Sequence, residues 1–398
     1  MRFALTTSIV ALAASFVSAA PVRRAANPQD LLVLTFAHVL EQLETQFYTQ
    51  ALAKFQESDF TSAGFSDAQV PIQQFTAIQS DESTHTDVLA STIVSQGGTP
   101  LTSCTFNFDA VLTDVPTMAA NARVVENLGV AAYLGAAHLV SDPVLLTAAG
   151  SILTVEARHQ TILNVLTGGS AIPQAFDIPF SPSEVLAVAS PFISGCDVGV
   201  PANPTLSVTN TGSVGPGTAL TFSSAAINGS TDGLSCQMLV GGAPFAIVLP
   251  FDQCVVPDGI NGPVAIFVTS DPQPLNNNIR DQATDKVVAG PTMAFIDTSP
   301  EVISQLAVGG SASAAPAPAS GSPAPDASTP TPSAAADGST STTTLTPAEA
   351  SAVLSSAGVA PPAATGTPDA SGSNVNTAST PAGGAITVNG FAPVPASS

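Results

Sequence analysis

The tetrapeptides Glu82-Ser-Thr-His85 and Glu156-Ala-Arg-His159 lie in two apolar segments of the chain and decide its fold. Each segment follows another one with a lone glutamate near its middle, Glu41 in the first case and Glu126 in the second. A glutamate from each of two helices and a Glu-x-x-His motif from each of two others are the ligands of a carboxylate-bridged two-metal site in a four-helix bundle. The order of these motifs therefore predicts such a bundle, with two metal ions at its centre.

Four segments have the apolar periodicity and the end signals of long helices. The predicted helices run from the Asn27-Pro28 cap to about Phe55, from about Ser66 to Gln96, from near Pro116, and from Asp142-Pro143 to Gly168-Gly169. In each of them the glutamate lies near the middle of an apolar row of residues seven apart. Mid-helix positions meet at one level whichever way the helices run, as a single site requires. The segment between the second and third helices, residues 97–115, can run the length of a helix and predicts a long crossover connection.

The ligand types indicate the metals. Four inward-facing carboxylates repel one another and lose several kcal/mol of solvation each, so two divalent cations would balance their charge. Neutral His85 and His159 would complete the coordination, and oxygen with imidazole suits iron first and manganese as the alternative, whereas a thiolate zinc site needs cysteines. Such a metal pair can bind O2 or peroxide and take electrons from Fe(II) or a substrate. The other histidines, His38 and His138, lie off the ligand rows and are expected to be partly exposed.

Three further polar residues share the predicted seams. Glu44 lies one turn after the first seam glutamate. It is expected to be a further ligand, a hydrogen-bonding neighbour of the ligands, or an ion-pair partner of Arg123 or Arg158, and we favour the second alternative. Tyr48 and Tyr133 each follow a seam glutamate by seven residues. They are expected to donate hydrogen bonds to the ligands, to relay electrons, or to be buried core residues, and the last alternative is favoured.

The chain beyond the four helices contains one short helix and then a region of strands. Ser181-Pro-Ser-Glu184 is a capping box that predicts a fifth helix to about Phe192. Further along, apolar residues recur at every second position, with frequent glycine and proline. The predicted strands are Leu206–Val208, Ala219–Phe222, Cys236–Val240, Phe245–Leu249 and Val264–Val268. This pattern predicts a small β-sandwich over residues 201–307, without a cluster of catalytic residues and with a packing or wall-binding role.

The two ends of the chain have the composition of processed or unfolded segments. A positive residue, a short apolar run and small residues at the cleavage position predict a secretory signal peptide over residues 1–19, and Arg23-Arg24 predicts a pro-segment over residues 20–24. Residues 308–398 are mainly Ala, Ser, Thr, Pro and Gly, which predicts a disordered, O-glycosylated tail. The helical bundle then covers residues 25–200, and we expect the protein to be secreted, in the extracellular space or the cell wall.

The net charge limits which partners the protein can bind, and the cysteines indicate its compartment. The formal net charge is −21, which argues against binding to nucleic acid or to an anionic membrane surface. It is compatible with attracting metal cations, and equally with plain solubility. A secreted chain can pair its cysteines, and we favour Cys104–Cys196 and Cys236–Cys254. Asn228-Gly-Ser230 is an N-glycosylation sequon and predicts an exposed loop.

The segment Leu34-Thr-Phe-Ala-His-Val-Leu-Glu41-Gln-Leu-Glu44-Thr-Gln-Phe-Tyr48 closely resembles the first helix of the secreted ferritin-like proteins of fungi. That family is often labelled stress-response or late sexual development proteins and is similar to the plant desiccation-related proteins. The two Glu-x-x-His motifs, Glu126 with Tyr133, and Ser190-Pro-Phe-Ile-Ser-Gly-Cys196 match the same pattern. The resemblance covers about residues 27–200. It implies a ferritin-like bundle and the six ligands Glu41, Glu82, His85, Glu126, Glu156 and His159. A ferritin-type iron-storage cage is not implied, because a glycosylated stalk and a second domain would obstruct packing into a shell.

The predicted architecture is a mainly α, ferritin-like four-helix bundle with a long crossover, then a small all-β sandwich and a disordered tail. The expected function is oxidase-type redox chemistry at the metal pair, as a ferroxidase or in peroxide disposal, linked to stress. The alternative is a non-enzymatic cell-wall or desiccation protein, and a manganese catalase-like activity is a third interpretation. Expected partners are metal ions with O2 or H2O2, and cell-wall polysaccharide, but neither nucleic acid nor membranes. The argument for enzymatic chemistry fails if His85 and His159 face solvent or lie far apart.

Overall fold

The computed structural model describes residues 27–309 and two dipeptides, Thr344–Leu345 and Ile386–Thr387. The predicted signal peptide and pro-segment lie outside the described residues, as does nearly all of the predicted tail. The chain divides into two compact units, Met1–Pro318 and Ala319–Ser398. In the second unit the two dipeptides form an antiparallel pair of strands. All elements described below belong to the first unit.

Four long helices form where the sequence predicts them. The helices are α1 Pro28–Lys54, α2 Glu57–Ser62, α3 Gln69–Ser95, α4 Val115–Ala136, α5 Pro143–Leu166, α6 Pro182–Ala189 and α7 Val302–Ala307. Asn27, Asp114 and Asp142 cap α1, α4 and α5 by accepting a hydrogen bond from a backbone N–H of the first turn, and a proline lies in that turn each time. No helix in the described part of the chain is both long and apolar enough to cross a membrane.

The shorter helices are only partly predictable. The capping box of α6 is confirmed, because Ser181 and Glu184 exchange side-chain to backbone hydrogen bonds. This helix ends at Ala189 and continues as a single 3-10 turn, Ser190–Phe192, to the predicted end. Helices α2 and α7 are absent from the sequence-based prediction, since six residues are too few for an apolar period to show.

The long helices form two antiparallel pairs, α1 with α3 and α4 with α5. Hydrogen bonds join Thr45 to Thr86 and Gln79 to Thr49, so α1 and α3 run in opposite directions. The predicted crossover connects α3 to α4. Its strand β1 (Thr105–Phe106) pairs with β2 (Ile193–Ser194) after α6, and the predicted disulfide Cys104–Cys196 lies beside them. The crossover is therefore attached to the end of the helical region both by backbone pairing and covalently.

The chain after residue 200 forms small antiparallel sheets, as predicted. The strands are β3 Ser207–Val208, β4 Phe222–Ser223, β5 Ser235–Val240, β6 Ile247–Pro250, β7 Gly262–Thr269 and β8 Val287–Ile296. β3 pairs with β4, and the other four form one sheet in the order β6-β5-β7-β8. β8 is missing from the prediction because Gly290-Pro291 interrupts its apolar pattern. The predicted disulfide Cys236–Cys254 is present, and Asn228 of the sequon is exposed.

The two faces of the four-stranded sheet have different neighbours. Phe267 of β7 belongs to the core of the helical region and packs edge-on against Phe180, with ring centroids 6.5 Å apart. Val264 and Ile266 alternate with it and face a smaller cluster that includes Leu220. The helices thus cover the face that a second sheet would cover in a sandwich. The boundary of a separate β domain at residue 201 stays a prediction.

An ion pair between a buried arginine and an exposed aspartate joins the bundle to the end of the sheet. The guanidinium of Arg123 in α4 donates to both carboxylate oxygens of Asp297, just after β8, at 2.8 Å each. It also lies over the ring of Phe295, and its Nε donates to Asn164 at 2.7 Å. Because every charged group of this pair has a partner, the arrangement avoids the cost of a lone buried charge and fixes the orientation of α4.

Candidate metal centre

The six predicted ligands converge in the middle of the four long helices. Glu41, Glu82, Glu126 and Glu156 are completely buried, and His159 is almost so. The side chain of His85 is 12% exposed. Each residue sits on the apolar seam of its helix, and for this reason the helix packing that buries the seam also brings the carboxylates together.

The ligand atoms form two overlapping groups. One consists of Glu41, Glu82, His85 and Glu156, and the other of Glu82, Glu126, Glu156 and His159. Within each group the candidate ligand atoms lie within 4.8 Å of one another. Glu82 and Glu156 occur in both groups, whereas each remaining glutamate and histidine occurs in one. This is the arrangement in which two carboxylates can bridge a pair of cations and two others can complete the coordination of one cation each.

Both histidine rings face the centre of the cluster. Nδ1 of His85 lies 3.2 Å from Glu41 Oε2 and 3.1 Å from Glu82 Oε2. Nδ1 of His159 lies 2.8 Å from Glu82 Oε1 and 3.1 Å from Glu126 Oε2. The ring centroids are 6.5 Å apart. The condition under which the argument for enzymatic chemistry would fail, histidines in solvent or far apart, is therefore not met.

The two tyrosines donate hydrogen bonds to ligands of the opposite helix. The hydroxyl of Tyr48 in α1 donates to Glu126 Oε1 of α4 at 2.6 Å. The hydroxyl of Tyr133 in α4 donates to Glu41 Oε1 of α1. This exchange is possible because α1 and α4 run antiparallel, so a tyrosine two turns after one glutamate meets the other glutamate. Tyr48 is fully buried and Tyr133 is half-buried. The favoured prediction, that both are buried core residues, therefore describes their burial but does not include these hydrogen bonds.

Glu44 is buried beside the cluster, where Gly129 leaves room for it. Of its predicted ion-pair partners, Arg123 binds Asp297 instead, and Arg158 is exposed. A Cβ atom added to Gly129 would lie 3.1 Å from Glu44 Oε1 and 2.4 Å from Glu156 Oε2. The missing side chain at this position therefore makes space for two carboxylates. Whether Glu44 is a ligand or a neighbour of the ligands stays a prediction.

One contact of the site is absent from the sequence-based prediction. Nε2 of His159 lies 3.1 Å from Asp81 Oδ2, while its Nδ1 faces the glutamates. A carboxylate on the outer nitrogen of a metal-binding histidine selects the tautomer and the ring orientation. The side chain of Asp81 is 53% exposed and lies one position before Glu82, off the apolar seam, so no burial signal distinguishes it from an ordinary surface aspartate.

The two remaining histidines differ from each other. His38 is buried, which corrects the prediction of partial exposure, and its Nδ1 lies 3.1 Å from the amide nitrogen of Gln42. Burial lowers the pKa of His38, which favours the neutral ring. His138 is exposed and contacts the carbonyl of Gly135. Neither belongs to the two ligand groups.

Burial and mutual repulsion control the titration of the cluster. Burial raises the pKa of Glu41 to about 8, against the hydrogen bond that His85 donates. It also raises the pKa of Glu156 well above its usual range, helped by the neighbouring carboxylates. Burial would raise the pKa of Glu82 as well, but hydrogen bonds from His159 and His85 lower it to about 2. Burial alone would lower the pKa of the histidines, yet their carboxylate partners raise it to about 10 for His85 and about 11 for His159.

This donor set could hold divalent cations. Both carboxylate oxygens of Glu156 are buried and accept no hydrogen bond from the described residues. Buried acceptors without a donor are costly, and a cation beside them offsets that cost. The raised pKa values of Glu41 and His85 also result from the buried negative charge of the cluster. Without a metal ion, protons on these residues supply the positive charge that a cation would otherwise provide. Carboxylate oxygen and imidazole nitrogen are ligands suited to iron and manganese.

The comparison with known families agrees with the fold. Residues 29–169 match the family model described as the ferritin-like domain. A comparison with curated proteins finds no match to the chain. The matched segment contains the four long helices, apart from the first residue of α1, and all six predicted ligands. The protein therefore has a helical ferritin-like domain, followed by small antiparallel sheets. The buried cluster of acidic residues and histidines in this domain could hold metal ions.

Proposed function

We propose that the protein is a secreted metalloprotein that holds two divalent ions, iron first and manganese as the alternative. Its function would be oxidase-type redox chemistry, as a ferroxidase or in peroxide disposal, in protection against stress. The observation that carries the proposal is the sharing of Glu82 and Glu156 between two four-residue ligand groups. One metal ion would need only one such group, whereas two adjoining groups with common carboxylates suit a pair.

The residues of the chain would have distinct roles in this function. Glu41 with His85, and Glu126 with His159, would each hold one ion, and the shared glutamates would hold both. When bound, the metal pair supplies electron transfer between Fe(II) or another donor and O2 or H2O2. Tyr48 and Tyr133 orient Glu126 and Glu41 through their hydroxyl groups. Burial raises the pKa of Glu44, so this residue would hold a proton next to the pair.

Secretion and a role in stress rest on other features. The two disulfides are consistent with an extracellular protein, because such bonds persist in oxidising compartments. The signal peptide, the sequon at Asn228 and the Ser/Thr/Pro-rich tail support the same localisation. The resemblance to stress-response and desiccation-related proteins supports the physiological role. Contact of the β region with cell-wall polysaccharide is part of this proposal.

A second candidate is a non-enzymatic, stress-protective protein of the cell wall. The complete burial of the four glutamates favours this candidate. A metal pair buried between the helices could have a purely structural role and stabilise the packing of the helices. Iron-loaded protein that reacts with neither O2 nor H2O2 would support this candidate. Release of O2 from H2O2 by manganese-loaded protein would instead support a catalase-like activity.

The test begins with elemental analysis of protein from its native secretion, followed by Fe(II)-dependent O2 consumption. We expect bound iron or manganese and O2 uptake in the native chain. Both should be lost in Glu82→Ala, which removes a carboxylate common to the two groups. The matched control is Glu57→Ala, an exposed glutamate of α2. Metal content that is the same in Glu82→Ala and Glu57→Ala would contradict the proposed site.

A further inference from the structure

A narrow apolar cleft leads from the surface to the carboxylate cluster. It lies at the end of the bundle where α1 begins, between the end of α3 and the start of α5, and it has a volume of about 70 Å³. Val88, which is 49% exposed, and exposed Ala148 lie at its mouth. Glu44, Gly129 and Tyr133 line its inner end. The cleft therefore reaches the neighbours of the ligands without passing through a polar region.

Small side chains create this space on the side of the cluster where α1 begins. Ala149 of α5 lies seven residues before Glu156 and lines the cleft. Phe75 of α3 lies seven residues before Glu82, at the other end of the bundle. Its buried ring packs on Tyr48 with centroids 6.1 Å apart and closes that end. The position seven residues before the Glu-x-x-His motif is thus a phenylalanine in α3, at the closed end of the bundle. In α5 it is an alanine, at the open end.

The lining selects against charged and strongly hydrated molecules. Of its two acidic residues, Asp30 is occupied, because both its oxygens accept hydrogen bonds of 2.7 Å from the backbone and the hydroxyl of Ser141. Glu44 is at the inner end, so an ion would lose most of its hydration before it met a partner. An uncharged apolar molecule has no such barrier, and small apolar cavities in proteins stay dry and take up apolar guests such as xenon.

We propose that this cleft is the entry and holding site for a small, uncharged, apolar molecule beside the metal centre, and that this molecule is dioxygen rather than hydrogen peroxide. The inference rests on the proposed oxidase function. Hydrogen peroxide needs several hydrogen-bond partners. Along the cleft the alanine, leucine and valine side chains provide none, and the hydroxyl of Thr92 donates to the carbonyl of Val88. Glu44 and Tyr133 lie only at the inner end. Dioxygen needs none. The cleft volume of about 70 Å³ suits a molecule of this size better than a large organic substrate.

Xenon is the probe that separates the cleft from the redox reaction. Alanine-methyl NMR of the full chain under xenon pressure, with and without bound metal, should show saturable shifts for Ala37 and Ala132, which line the cleft. Ala149→Phe, which fills the cavity, and Ala148→Phe, which blocks the exposed mouth, should abolish these shifts. Ala53→Phe on the exposed face of α1 is the matched control and should retain them. Absence of the shifts in the native chain would overturn the site.

The second measurement concerns dioxygen itself. In Ala148→Phe loaded with iron, we expect a several-fold higher KM for O2, with unchanged metal content and an unchanged KM for H2O2. A rise in the KM for H2O2 alone would overturn dioxygen as the occupant. Metal-loaded protein that binds xenon in the cleft but consumes no O2 would contradict both the oxidase function and the dioxygen assignment, while the apolar site itself would stand.

Discussion

The two halves of the bundle, α1 with α3 and α4 with α5, carry the same ligands in different surroundings. Each half supplies a lone glutamate, a tyrosine seven residues later and a Glu-x-x-His motif. The tyrosine of each half bonds the lone glutamate of the other. The halves therefore behave as copies that meet reciprocally at the carboxylate cluster. Such a repeat explains why two equivalent ligand groups arise from one chain.

Three of the equivalent positions at which the copies differ bear on the site. Glu44 corresponds to Gly129, three residues after the lone glutamates, and Asp81 corresponds to Val155, directly before the motifs. Phe75 corresponds to Ala149, as described for the cleft. The first difference adds a fifth buried carboxylate to the cluster. The second gives His159 an outer carboxylate, and the third opens one end of the bundle. The shared residues can hold metals, whereas the differing ones determine access and asymmetry.

Replacing a shared ligand should have the largest effect. Glu82→Gln removes a carboxylate that belongs to both groups, so we expect loss of both metal ions. Glu41→Gln affects one group and should leave one ion bound, as should Glu126→Gln in the other half. Elemental analysis of the purified variants measures the ratio of metal to protein. If Glu41→Gln lost as much metal as Glu82→Gln, the two groups would not be separate sites.

Gly129→Ala tests the space that distinguishes the second half. The new methyl group would lie 2.4 Å from Glu156 Oε2, so the carboxylates must move. Overpacking of this kind destabilises by about 1–3 kcal/mol. Gly150→Ala in α5 is the control, because its methyl group would meet no atom within 4 Å. That control should stabilise the protein by about 0.5–1 kcal/mol through helix propensity. Urea unfolding measures both, and equal effects would refute the steric explanation.

Asp81→Asn should weaken metal binding in one half only. The change removes the charge beside Nε2 of His159, and loss of such a partner typically costs 10–100-fold in metal affinity, on the order of tenfold here because Asp81 is half exposed. Competition with a chelator measures the affinity of each ion. Asp87→Asn, an exposed aspartate of α3, should have no effect. Equal weakening of both ions in Asp81→Asn would argue against a role through His159.

The smallest expected effect is the release of protons on metal binding. In the metal-free protein the pKa of Glu41 is raised to about 8 and that of His85 to about 10, so both hold a proton at neutral pH. A cation binds their unprotonated forms, so binding releases protons and the affinity rises as pH rises through 8. Calorimetry in buffers of different ionisation enthalpy counts these protons. Binding without proton release at pH 7 would contradict the raised pKa values.

The sequence allowed prediction of most elements that lie on a regular apolar pattern. The four long helices, the crossover and both disulfides are confirmed, because caps, seams and paired cysteines leave local signals. The strand β8 and the helices α2 and α7 are missing from the prediction, since a glycine-proline interruption or a length of six residues hides the period. The contact of Asp81 with His159 is missing from the prediction for a different reason: Asp81 lies off the apolar seam and is exposed.

By itself the sequence determined which residues could meet at the centre of the bundle, because burial of an apolar seam must bring every residue on it inside. Only the tertiary structure decided how these residues pair. The antiparallel course of α1 and α4 directs each tyrosine to the opposite glutamate, and the contact between α3 and α5 brings Asp81 to His159. The cleft likewise depends on where Ala149 and Phe75 lie relative to the other helices. Contacts between elements distant in the chain have no periodic signal, so packing alone specifies them.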